Sequence, residues 1–315
     1  MPIAPKLDPD EIHRLIASPI PGRRLFLRGL PAAAPRRGSV LYVHGGTFPS
    51  ATSIAHRIEG WSWRDALATA GFDVWGLDFH GFGPFSDPWP EQAEPAGAHP
   101  PLGGCAVASA QLEAAARAIL AEGGAGRLSL IAHSWGSMVA GDLAGRCPDL
   151  IDRLVLFGPI ARRDGTPQPK LPAWRLVSVE DQWRRFTADT PAGVAPVLPE
   201  AWFAAWAEAY LDGDPASRAR TPAAVATPSG PFQDIADAWA GRLAYDPGRV
   251  RAPVALIRGA WDSMCTDADA AWLLGVLAGA ARRREVVAPR GGHLLHLETG
   301  RGALFRAAAA FLSEG

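Results

Sequence analysis

The stretch LSLIAHSWGSMVAG, Leu128 to Gly141, runs as an apolar strand, stops at Ser134 and restarts at once as a helix. A corner that sharp strains its central residue, projects the side chain beyond the strand end and turns the first helix amides toward whatever binds there. It tolerates only small residues two before and two after the corner, and these are Ala132 and Gly136. A serine so placed is a candidate nucleophile, and it is also a residue type that caps helix N-termini. Three other strand ends supply the context. VLYVHGGTFPS ends in His44, Gly45 and Gly46, where glycine lets a backbone approach a substrate closely. VALIRGAWDSMCTD sets Asp262 just beyond a late strand, and VVAPRGGHLLHLE puts His293 behind a Gly-Gly turn that can carry an imidazole back over the serine. Each has a rival. Asp267 lies in TDADAAWLL, which reads as a helix start where the dipole favours acids, and His296 follows His293 by three residues.

Ala-His-Ser-Trp-Gly stands where the α/β-hydrolase family has its Gly-x-Ser-x-Gly nucleophile elbow and resembles it, alanine at the first small position being an ordinary variant. His44-Gly45-Gly46 is similar to the family's His-Gly oxyanion loop. The positions of Asp262 and His293 resemble those of its triad acid and histidine, and the chain order Ser134, Asp262, His293 is that of this fold. The resemblance implies that Ser134 attacks, His293 takes its proton and Asp262 orients the imidazole. The amides of Gly46 and Trp135 would bind the oxyanion, two preorganised donors where charge develops. Thr47 is a weaker candidate donor. Some members carry the acid one strand earlier, which would make Asp164 the acid. WGLDFHGFGPFSD, with Asp78 and His80, resembles the family's Asp-x-x-Gly-x-Gly turn, whose acid braces the loop. By the same comparison His44 braces its loop, His133 packs beneath the elbow, Glu298 packs or caps locally, and the Trp135 indole is a candidate pocket wall. No cofactor or metal is implied.

The elements that must position these residues are short runs, RRLFLRGL, SVLYVHGG, FDVWGLDFHG, RLSLIAHS, IDRLVLFGP, APVALIRGAWD and RREVVAPRGGH, separated mostly by alanine-rich helical stretches. Their near-continuous apolar character predicts strands covered on both faces. This gives an α/β fold with a mostly parallel central sheet flanked by helices. The rhythm breaks after Pro159. Residues 161–248 hold many prolines, five of the twelve tryptophans and no convincing buried strand, and are expected to form a helical cap inserted into a core of residues 1–160 and 249–315. Each of the five, Trp174, Trp183, Trp202, Trp206 and Trp239, reads singly as packing, but together they predict an apolar pocket beneath the cap. Thr47, Phe48, Trp174, Trp183 and Trp261 are the candidate pocket residues.

Basic and acidic residues number 31 against 32, so no global field draws the chain to nucleic acid or an anionic membrane. No apolar run approaches the ~20 residues of a membrane span, and the N-terminal stretch has acids and prolines where a signal peptide needs a basic start and an apolar run. Cys105, Cys147 and Cys265 are scattered, with no metal-ligand spacing, and read as reduced thiols of a cytoplasmic protein. The expected function is hydrolysis of carboxylic esters, lactones or related acyl compounds with apolar parts, by a monomer or homodimer. A proline-iminopeptidase-like peptidase is a second reading, against which Gly-Gly-Thr-Phe replaces the usual Gly-Gly-Pro-Gly. A carbon–carbon bond hydrolase, a cofactor-free dioxygenase and a ligand receptor on a hydrolase scaffold complete the alternatives.

Overall fold

The computed structural model describes residues 7–33, 35–124 and 126–314; residues 1–6, the start of the N-terminal stretch discussed above, lie outside these. The strands are β1 (Ile12–Ala17), β2 (Arg24–Leu30), β3 (Gly38–Val43), β4 (Phe72–Asp78), β5 (Leu128–His133), β6 (Ile151–Phe157), β7 (Trp174–Ser178), β8 (Ala224–Pro228), β9 (Val254–Gly259) and β10 (Arg283–Ala288). The helices are α1 (Trp63–Thr69), α2 (Cys105–Gly123), α3 (Gly136–Arg146), α4 (Val179–Thr187), α5 (Glu200–Leu211), α6 (Gly230–Trp239), α7 (Asp267–Val276) and α8 (Arg301–Leu312).

Eight of these strands form one sheet in the order β1-β2-β4-β3-β5-β6-β9-β10. Pairing is parallel from β4 through β10, and β1 and β2 are added antiparallel at one edge. The central strands β5 and β9 are buried along their whole length, as runs such as LSLIAH and VALIRG require. One face packs Leu112 of α2, Met138 of α3 and Leu273 of α7, and the other packs Trp63 of α1 and Phe305 of α8. The mostly parallel sheet flanked by helices expected from the runs is therefore present. β1 adds to the expected strands: IHRLIA mixes exposed and half-buried residues at an edge and lacks the apolar run of its neighbours.

Between β6 and β9 the chain makes α4, α5 and α6, but also the antiparallel pair β7-β8, so this segment is mixed rather than purely helical. The partners Trp174 and Pro228 are far apart in sequence, and only the last two residues of WRLVS are buried, so the segment carries no buried-strand pattern of its own. A separate apolar cluster joins this segment to the rest: Phe186, Phe203 and Trp206 pack with Phe48 and Leu294. No helix among the described residues is long and apolar enough to cross a membrane.

Candidate active site

The corner between β5 and α3 is held by a residue in an unusual conformation. Ser134 has φ 55°, one of two non-glycine residues with positive φ among those described. That region costs a non-glycine residue about 1–3 kcal/mol and persists only where the surroundings impose it. The Ser134 N–H donates to the Phe157 carbonyl at 3.0 Å, and the Ser134 carbonyl accepts from the Ser137 N–H at 2.9 Å, which pins both sides of the corner. Gly136 is required by close approach: a Cβ there would stand 2.5 Å from the His44 carbonyl oxygen and 2.7 Å from that of Val43.

Asp262 lies just past β9 and His293 past β10. Nδ1 of His293 is 2.9 Å and 3.0 Å from the two carboxylate oxygens of Asp262, and both residues are buried. A carboxylate partner assigns the proton to Nδ1 in the neutral ring, leaving Nε2 as the acceptor. Nε2 is buried and has no protein partner, and His293 lines the same small cleft as Ser134. Burial alone would raise the Asp262 carboxyl. The paired His293 ring and the N–H groups of Cys265 and Met264, at 3.0 Å and 2.9 Å, outweigh it and hold the group below the usual range. Room for this pair depends on Gly158, at φ +50°, where a Cβ would lie 2.8 Å from Asp262 Oδ2 and 3.0 Å from His293 Nδ1.

Gly46 lines the cleft, and a Cβ built on it would come within 3.9 Å of the Trp135 Cβ, so the two residues that carry the candidate oxyanion amides are neighbours. Among the described residues neither N–H donates to a protein acceptor. The Trp135 indole turns away from the cleft: it is fully buried, meets Phe79 edge-on, and its Nε1–H donates to Asp234 at 2.8 Å. It is thus no pocket wall. Burial raises the Asp234 carboxyl to about 6, against the opposing effect of its bonds from Trp135 and the Cys105 N–H.

Thr47 and Phe48 line the cleft, whereas Trp174, Trp183 and Trp261 do not. The Trp174 indole donates to the Glu94 carbonyl, Trp183 packs on Phe203, and Trp261 lies under the Arg290 guanidinium. Each large ring has found cover elsewhere. The segment between β6 and β9 faces the cleft instead with Arg185, Phe232 and Ile235, and Met264 and Leu294 come from the loops bearing Asp262 and His293.

The rivals are placed apart from this pairing. Asp267 is exposed and pairs with Arg258, while Asp164 is exposed and pairs with Arg162. His296 is buried between Phe48, Phe157 and His133, with neither ring nitrogen bonded. Burial first, then His293 and His56, lower it to about 3. His133 also lines the cleft, stacks on Phe157 and bonds through Nε2 to the His293 carbonyl at 3.0 Å. Burial, with His296 and His293 next, keeps it neutral. Asp78 accepts from the Ser50 N–H and hydroxyl, and His44 donates from Nδ1 to the Gly45 carbonyl while Nε2 accepts from the Phe79 N–H. Both brace loops.

Two acids hold the His293 loop. Glu298 accepts the Gly292 N–H at 3.0 Å; burial raises its carboxyl to about 7, the Gly292 bond opposing and Asp189 and Asp262 adding to the rise. Asp189, just past α4, accepts from the His293 N–H at 2.7 Å and the Ser263 hydroxyl at 2.5 Å, tying the segment between β6 and β9 to both loops. Nothing in FTADTPAG marked Asp189, whose partners Ser263 and His293 lie 74 and 104 residues on, and nothing in DQWRRFT distinguished Arg185, whose cleft neighbours come from other elements. Among the described residues no cluster of histidine, cysteine and acidic side chains could hold a metal ion.

The family model for the alpha/beta hydrolase fold matches residues 38–299. Among solved structures, an esterase from Exiguobacterium antarcticum superposes with TM-score 0.64 at 15% identity, covering 96% of this chain and 100% of that one. A probable hydrolytic enzyme from Pseudomonas aeruginosa PAO1 gives 0.62 at 22%, over 97% and 94%. A meta-cleavage product hydrolase gives 0.59 at 18%, over 96% and 99%. No curated protein matches the chain in sequence.

Proposed function

The chain belongs to the α/β-hydrolase fold family, and from that premise we propose that it is a serine hydrolase of small esters, lactones or related acyl compounds. The observation that carries this reading is a strained Ser134 sharing a cleft with a His293 whose other face is bridged to Asp262. Ser134 Oγ attacks the acyl carbon while His293 Nε2 takes its proton, and Asp262 stabilises the imidazolium. The carbonyl oxygen, now an oxyanion, accepts from the N–H groups of Gly46 and Trp135, which need no reorganisation because they have no competing acceptor. The tetrahedral intermediate collapses, the leaving oxygen takes the proton from Nε2, and the acyl group stays on Ser134. Water, deprotonated by the same nitrogen, then releases the acid and restores the serine. Residues 161–248 act as a cap over the cleft, and the three unpaired cysteines suit a reducing, cytoplasmic setting.

The test is pre-steady-state release of p-nitrophenol from a short-chain p-nitrophenyl ester. A burst of about one equivalent followed by steady turnover is expected, with both absent in folded Ser134→Ala. Activity or oxygen uptake that survives in Ser134→Ala overturns the mechanism.

A further inference from the structure

Among the described residues, every buried or half-buried arginine has a hydrogen-bond or ion-pair partner except Arg185. Arg184, beside it on α4, is exposed and pairs with Asp181. Arg185 instead faces the cleft that holds Ser134 and His293. Its charge is felt by His133 and by the carboxylates of Asp189 and Asp262, and burial disfavours it despite them. Neither carboxylate forms an ion pair with it: Asp189 is taken up by the His293 N–H and Ser263, and Asp262 by the His293 ring. A guanidinium keeps its charge, and Arg185 is half-buried, so its charge is partly withdrawn from water without a protein partner, which is costly. An anion entering the cleft relieves this cost.

We infer that Arg185 is the anchor for a carboxylate on the substrate, so that the protein's acyl substrates are small carboxylate-bearing compounds, the monoester of a short dicarboxylic acid being the simplest. The reaction rests on the hydrolase reading above; the binding does not. The cleft is small, about 50 Å³, and favours a short acyl chain over a long one. Beside Thr47, His133 and the candidate catalytic pair it offers one cation and apolar walls from Phe232, Ile235, Met264 and Leu294, which match a single negative charge on a short carbon chain better than a phosphate dianion.

The first measurement compares kcat/KM for mono-p-nitrophenyl succinate and p-nitrophenyl butyrate, which differ in replacing a methyl by a carboxylate. Wild type should favour the succinate, and Arg185→Met should lower the succinate-to-butyrate ratio by about ten- to a hundredfold, the size of a lost charge-assisted bond. Arg185→Lys should keep part of the preference, and retained thermal melting shows that the variants fold. The second measurement needs no turnover: calorimetric binding of monomethyl succinate and methyl butyrate to Ser134→Ala, with and without Arg185→Met. Tighter binding of the succinate that disappears with Arg185→Met supports the anchor even if wild type releases no p-nitrophenol, in which case the hydrolase reading alone fails. Equal binding of the two esters, or a ratio unchanged by Arg185→Met, overturns the inference.

Discussion

Gly158→Ala probes the rigidity of the Asp262–His293 pair without touching either residue. An added methyl at φ +50° would sit 2.8 Å from Asp262 Oδ2 and 3.0 Å from His293 Nδ1, about 0.6 Å inside ordinary contact with the carboxylate. Both neighbours are buried and bonded: Asp262 is held by Met264 and Cys265, and the His293 backbone by Asp189. The methyl must therefore open the pair or shift the imidazole away from Ser134. A displacement of about 1 Å in a reacting group can cost about a hundredfold, so a loss of about ten- to a hundredfold in kcat is expected. Positive φ also disfavours alanine by about 1–2 kcal/mol, which would lower the melting temperature without any catalytic meaning. Gly22→Ala separates the two effects. Gly22 has φ +73° and no atom within 4 Å of a built Cβ, so it carries the same backbone strain without the clash. The assay is steady-state ester hydrolysis beside thermal melting for both variants. Matched kcat values in folded Gly158→Ala and Gly22→Ala would refute the argument that the pair has no room to move.

Other consequences follow from the two acids behind the His293 loop. The Glu298 carboxyl is raised from 4.5 to about 7, so the folded protein binds its proton more tightly than the unfolded chain does. Its contribution is favourable below pH 4.5 and is lost as pH rises through 7, by on the order of 3 kcal/mol. Glu298→Gln keeps an acceptor for the Gly292 N–H and removes the titration, so the melting temperature of the variant relative to wild type should climb between pH 4.5 and 7; a constant difference would contradict the assignment. Asp189→Ala removes the acceptor of the His293 N–H and the Ser263 hydroxyl, and should lower kcat by about ten- to a hundredfold while hydrogen exchange at His293 speeds up. Unchanged exchange there would show that the tie is dispensable.

The corner at Ser134 could be read from residue types because its chemistry is local. Small residues at 132 and 136 between an apolar run and a helix leave few other conformations, and the alternation of apolar runs with helical stretches implies covered strands. Asp262 and His293 could be singled out because each lies a few residues past a strand, at positions that resemble the family's acid and histidine, and strands that lie parallel bring their ends to one edge. Non-local packing settled the rest. Large indoles signal burial but not against what, and Trp174, Trp183 and Trp261 found cover away from the cleft. β7 and β8 exist only because Trp174 meets Pro228, a pairing no window of sequence contains. Arg184 and Arg185 are identical in type and adjacent, and neighbours on a helix point in different directions. Which one met solvent and which met the cleft that holds Ser134 depended on how α4 docks, through Phe186 against Phe48 and Trp206.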